Sequence, residues 1–399
     1  MPQIDSTRLL ADLHALRRIG TYKTGVHRPT LSPEDIQSRH WLAEKLTAAG
    51  LMAEIDGIAN VFGRDPSPGR KLLMGSHLET QPHAGWLDGA MGVLYALETA
   101  RVLGRGIDVA VWCDEEGHFG TFPGSRSFYG LLPEAEIDTM IRREDGVSMR
   151  AALERAGWGG RARVIGDPAR YLGYLEAHIE QGAELELSGD RIGIVTAIVG
   201  SHRFRIVFEG MQNHAGTTRM ARRRDAGVAL ARLAVAINDR FPALATERTV
   251  WTTGRITLDP GAPSIVPGRA EMVFQFRDTD PALLTRLAEE LDTLVAEANQ
   301  GPCRVTLIGT GTTSPKAMAP PFQDAFQAAA ERHAPGRHQR MPSGAGHDAQ
   351  ILAEIMPSGM LFVPSIGGIS HHYTEDTSDA DLVLGCQVFA DAAAALLAG

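Results

Sequence analysis

Cysteine is scarce in this chain: Cys113, Cys303 and Cys386 are the only three in 399 residues. Few and far apart, they exclude a disulfide frame and read as small buried side chains in a reducing compartment. A surplus of positive charge is also missing. The formal net charge of −9 argues against nucleic acid as a partner, because phosphate contacts need a basic face. Lys and Arg still number 39, enough for local cationic pockets that take an anionic substrate. No run approaches the roughly 18 apolar residues of a membrane span. The start, MPQIDSTRLLADLHALRRIG, lacks the hydrophobic region of a signal peptide. The expectation is a cytoplasmic protein with no membrane partner, without internal repeats or low-complexity tracts.

Hydrophobic residues make up 44% and charged residues 22%, as in a soluble globular protein, and the length calls for two domains. Residues 5–19 and 32–49 read as amphipathic helices, the second started by Ser32 before Pro33. Apolar runs then alternate with helical stretches: KLLMGS, MGVLYALETARVLG, VAVWCDEEG. That alternation predicts an α/β domain with a mostly parallel sheet flanked by helices. From about residue 206 the pattern becomes strand–helix–strand–strand–helix–strand, an inserted α+β unit. Helices over 321–333, 347–355 and 379–398 and the strand MLFVPS follow. The expected layout is a discontinuous catalytic domain, 1–205 and 315–399, with an inserted domain at 206–314. The run Arg222-Arg223-Arg224 heads a helix there and reads as a solvated face.

The chemistry sits at the ends of the apolar runs. His77 and Asp88 lie in GSHLETQPHAGWLDGAMGV, Glu115 and Glu116 in VWCDEEGHFG, His178 in YLEAHIEQG and His371 in SIGGISHH. Each alone has an ordinary structural reading, as strand histidine, helix cap or loop charge. Their joint placement at strand ends beside glycines points to a metal site, because parallel sheets bind ligands there. Three imidazoles and three carboxylates suit two divalent ions sharing a short carboxylate such as Asp88. The water between them becomes acidic, and one of the adjacent glutamates is left to move its proton.

These segments, with FEGMQNHAGTTRM, SGAGHDAQIL and GGISH, resemble the N-carbamoyl-L-amino-acid hydrolases, including allantoate amidohydrolases and β-ureidopropionases, in the two-metal aminoacylase/carboxypeptidase superfamily. The resemblance runs from about residue 15 to the C-terminus. It implies that His77, Asp88 and His178 hold one ion, and Asp88, Glu116 and His371 the other. Zn, Mn, Co or Ni would fit such ligands. It implies that Glu115 is the general base and that the inserted domain serves as lid and homodimer interface. His214 would stabilise the oxyanion in the partner's site. Arg203, Arg277, Ser264 and His347 fall at substrate-contact positions, for a small substrate carrying a carboxylate.

The chain departs from the family's pattern at several places. Glu79 stands where the family has an aspartate that orients the first histidine. Ser201, His202, Ser264 and Gln275 replace residues around the substrate. Ligand and base positions are kept while substrate contacts change, so hydrolysis with an altered substrate is expected. The rivals are an aminoacylase or peptidase on the same scaffold, and a catalytically dead binding module.

Overall fold

The computed structural model describes residues 2–399. It divides into two compact units, residues 1–197 with 317–399, and residues 198–316.

The first unit is built on a nine-stranded sheet. Across it run Ile192–Ile198, Ser358–Val363, Tyr171–Ile179, Lys71–His77, Ile107–Trp112, Val61–Arg64 and Met52–Ile55, in that order. The four from Ser358–Val363 to Ile107–Trp112 are mutually parallel. Ile192–Ile198 on one side, and Val61–Arg64 and Met52–Ile55 on the other, pair antiparallel. The sheet is therefore mixed, not mostly parallel. Short loops such as 56–60 can return a chain only into an antiparallel neighbour, whereas parallel neighbours need a long crossover. Every residue of Lys71–His77 and of Ile107–Trp112 is buried, as expected of central strands covered on both faces. Helix Ala90–Leu103 is buried continuously from Ala90 to Ala100, and shares its core cluster with Leu382, Cys386 and Phe389 of helix Asp379–Ala398. By length and apolarity that last helix does match a membrane span, contrary to the expectation that no run comes near one. Here it is half buried in the core, and its buried Asp391 is paired with His333 at 2.8 Å. All three cysteines are unpaired and buried.

The second unit is a four-stranded antiparallel sheet, ordered Val250–Asp259, Arg269–Asp278, Gly200–Glu209, Arg304–Thr313. Burial alternates along RAEMVFQFRD, because strand side chains switch faces at each residue. Met272, Phe274 and Phe276 therefore share a core with Leu230 and Leu233 of helix Ala226–Arg240 and with Leu287 and Leu291 of helix Pro281–Ala298. The expected boundary at 205/206 would cut the strand Gly200–Glu209, which lies wholly within this unit. The arginine run ends before Asp225 caps the helix, so it does not itself form the first turn.

Candidate active site

His77 is the last residue of its strand, and His178 the last but one of the neighbouring parallel strand. Each ring is fixed from behind. His77 Nδ1 lies 2.9 Å from the Glu79 carbonyl, and His178 Nδ1 2.9 Å from the Ile179 carbonyl. A carbonyl only accepts, so Nδ1 carries the hydrogen and Nε2 offers its lone pair to the site. Asp88 follows in the loop after the first strand, immediately before helix Ala90–Leu103. Gly89 turns the chain there at φ +65°, and a Cβ on it would stand 2.4 Å from the His77 ring. Gly89→Ala is therefore expected to displace His77, and metal analysis of the purified variant should show less bound ion than wild type.

The Asp88 carboxylate faces two ways. Its Oδ1 lies 3.1 Å from His178 Nε2 and 3.5 Å from His77 Nε2, whereas Oδ2 lies 3.3 Å from His371 Nε2. His371 Nε2 is also 3.7 Å from Glu116 Oε2. Two groups result, His77–Asp88–His178 and Asp88–Glu116–His371, each with ligand atoms within 4.8 Å of one another. The donor set fits divalent ions. His77 Nε2 is buried and has no hydrogen-bond partner among the described residues. Imidazole nitrogens and carboxylate oxygens are also the ligands such ions take.

Glu115 and Glu116 stand on a tight turn after the strand Ile107–Trp112. Asp114, at φ +62°, accepts N–H bonds from His118, Phe119 and Gly120, so its own side chain closes the turn. Glu115 Oε2 then lies 3.5 Å from His77 Nε2, and Glu116 faces His371. Glu79 does not do what was expected of it. Its carboxylate is 4.0 Å from His77 Nδ1, beyond hydrogen-bond reach, and it is the backbone carbonyl that orients the ring. The extra methylene carries the carboxylate past the imidazole to the backbone N–H of Glu115, which it accepts at 2.7 Å.

The electrostatics follow from crowding buried carboxylates. Burial, aided by Glu116, Asp348 and Asp88, pushes Glu115 well above the usual carboxylate range against the opposing effect of His77. Burial works to raise Asp88 too, but the imidazoles of His178, His371 and His77 around its two oxygens outweigh it and hold Asp88 well below that range. Burial would lower His77, yet Glu115, Asp88 and Glu79 together raise it. The hydrogen bond with Asp88 lifts His371 to about 9. The cluster thus attracts positive charge, and dications would take the place of the imidazole protons.

His347 is buried and packs edge-on against His178, with ring centroids 4.6 Å apart. Its Nε2 is 2.9 Å from the Ser343 hydroxyl, and burial, then His178, pushes its pKa well below the usual range.

The second unit carries the remaining candidates. His214 is exposed, and its Nδ1 accepts N–H bonds from Gly216 and Thr217 at 3.0 and 3.2 Å. The ring hydrogen therefore sits on Nε2, as a donor. Arg223, from the run read as a solvated face, braces this loop by donating to the Thr218 and Ala215 carbonyls. The Ser264 carbonyl accepts the Ala215 N–H at 2.9 Å. Arg203 stands opposite Gln275, and Arg277 opposite Ser201, on the sheet face away from the helices. Burial, then the nearby Arg203, lowers the Arg277 pKa, as expected where two guanidinium groups share a face.

Three residues around the cluster escaped the sequence reading. Gln81 donates from Nε2 to Glu116 Oε2 at 2.9 Å, and Gln181 from Nε2 to Asp88 Oδ2 at 2.9 Å. Glu375, buried, accepts the Asp88 N–H at 3.2 Å and the Ser370 hydroxyl at 2.8 Å. Burial, then Asp88, raises Glu375 to about 7. A Cβ at position 85 beside it would overlap the Glu375 carboxylate at 1.8 Å, so that carboxylate would have to move to admit a side chain there.

Comparison with known proteins bears on this geometry. The model of peptidase family M20/M25/M40 matches residues 74–395. The chain is 33% identical to an N-carbamoyl-L-amino-acid amidohydrolase of Paenarthrobacter aurescens, over 97% of each chain. It is 32% identical to the allantoate amidohydrolase of Bacillus subtilis (strain 168), over 92% of each. A crystal structure of an amidase of the hydantoinase/carbamoylase family from Burkholderia phymatum superposes with a TM-score of 0.90 at 48% identity, covering 99% of both chains. The class is thus that of hydrolases acting on carbon–nitrogen bonds. Within it, this chain belongs to peptidase family M20/M25/M40 and is similar to its carbamoyl- and allantoate-hydrolysing amidases.

Proposed function

We propose that this protein is a homodimeric, two-metal amidohydrolase that cleaves the carbamoyl C–N bond of an N-carbamoyl amino acid or related ureido acid. The observation that carries this reading is the Asp88 carboxylate, with one oxygen turned to each of the two ligand groups. His77, Asp88 and His178 would hold one ion, and Asp88, Glu116 and His371 the other. Bound there, divalent ions supply positive charge that polarises the scissile carbonyl and makes water acidic enough to attack near neutral pH. Glu115 takes the proton of the attacking water and hands it to the leaving amine. His214, with its hydrogen on Nε2, donates to the oxyanion as charge develops there. The Arg203 and Arg277 forks suit a substrate carboxylate, which guanidinium binds bidentately. A carbamoyl substrate yields the amine, ammonia and carbon dioxide.

The test is a panel of N-carbamoyl amino acids, allantoate, N-acetyl amino acids and dipeptides on metal-reconstituted enzyme. Turnover of the ureido compounds is expected. Preference for the acetyl compounds or dipeptides would make it an aminoacylase or peptidase, and no turnover at all a binding module.

The homodimer has its own support. Strand Val250–Asp259 is an edge strand, and Val250, Ile256 and Leu258 on it are exposed, as are Val228 and Val235 of the adjoining helix. A long apolar edge is a site for pairing with another chain. In this reading His214 completes the active site of the partner subunit. Inactive Glu115→Gln and His214→Ala subunits, co-expressed, should then complement. Random pairing makes half the dimers mixed, each with one intact site of two, so about a quarter of wild-type activity should return. Verified mixed dimers without activity would remove His214 from the partner's site.

A further inference from the structure

Asp35, Arg39 and Glu79 are wholly buried and belong to neither ligand group. They form a chain. Asp35, near the start of helix Pro33–Ala48, accepts the Leu31 N–H at 2.8 Å and pairs with Arg39 Nε at 3.0 Å. Arg39 donates from Nη1 to the Ala59 carbonyl at 2.8 Å, and from Nη2 to Glu79 Oε2 at 2.6 Å. Glu79 Oε1 ends the chain on the Glu115 N–H at 2.7 Å. Buried ions are expensive to desolvate, and their pairing seldom stabilises a fold more than apolar packing would. This chain spends that cost on fixing backbone groups of Leu31, Ala59 and Glu115.

We infer that Glu79 is a positioning residue for Glu115, and that the buried Asp35–Arg39–Glu79 chain anchors it. The inference rests on Glu115 being the base of the reaction. Side-chain length is the key variable. An aspartate at 79 falls about 1.5 Å short, one carbon–carbon bond, and cannot span from Arg39 to the Glu115 N–H. A glutamine keeps the reach and one acceptor oxygen.

Glu79→Asp is therefore expected to lower kcat by about 10- to 100-fold, the size of effect that a small misplacement of a reacting group produces. KM should stay within about twofold, since substrate binding is untouched. Metal content should match wild type, and hydrogen–deuterium exchange over residues 113–117 should speed up. Glu79→Gln, the second variant, should retain more kcat and more exchange protection than Glu79→Asp. An aspartate as active as glutamate overturns the inference. So does metal loss with activity restored by excess metal, which would place the carboxylate's action on His77. Unchanged exchange over residues 113–117 overturns it as well, whatever Glu115 does chemically. Failure of Glu115 as base would appear separately, in the Glu115→Gln variant.

Discussion

Exhaustive chelation is expected to abolish turnover, and a divalent transition ion to restore it. The expectation follows from the two ligand groups that share Asp88. It also follows from His77 Nε2, buried and unpartnered among the described residues. Elemental analysis of the restored enzyme should approach about two ions per chain, the stoichiometry of a carboxylate-bridged pair. Full activity in a verified metal-free preparation would sink the two-metal reading. So would restoration at a single ion per chain with no further gain.

Glu115 and Glu116 should fail differently, although they are adjacent and both half-buried. Glu115→Gln should keep both ions and lose about 10²–10⁴ in kcat, the usual contribution of a general base. Glu116→Gln should instead weaken one ion site, because its Oε2 faces His371 across from Asp88 Oδ2. Its activity should return toward wild type as metal concentration rises. Measuring kcat against metal concentration for both variants separates the roles. If Glu115→Gln is the one rescued by metal, the assignment is reversed.

The strand ends that gather the site were legible in the sequence because buried strands read as short apolar runs. KLLMGS led to His77 and VAVWC to Glu115. The central parallel strands followed from the same alternation. The antiparallel margins did not, since strand direction depends on connection length more than on composition. The domain boundary was placed inside Gly200–Glu209 because nothing in that strand's composition marks where a unit begins. Glu79 was read from the family's pattern, and a pattern does not tell whether a side chain stops at the imidazole or passes it. Gln81 and Gln181 stood inside quoted motifs and could have been singled out as polar neighbours of ligands. Glu375 could not, because its tie to Asp88 spans 287 positions along the chain. Arg223 was obscured by its own neighbours, a charge run that usually means a wet surface.

The two ligand groups differ in how far they are sealed from solvent. His77, Asp88 and His178 are all buried, whereas the side chain of His371 keeps 52% of its surface open. An ion held by the inner group would leave only when the surrounding structure opens, and that opening would set its residence time. An ion at His371 can be reached by a chelator from outside. If both groups hold ions, metal release is expected in two stages, a fast outer loss and a slow inner one, which a time course of chelation would resolve. The intermediate would be a half-loaded enzyme whose lifetime reports the opening of the inner group. Because Asp88 belongs to both groups, departure of an outer ion would also alter the charge balance felt by an inner one. On that reading, the metal content of a preparation would depend on how long, and in what, it has been washed.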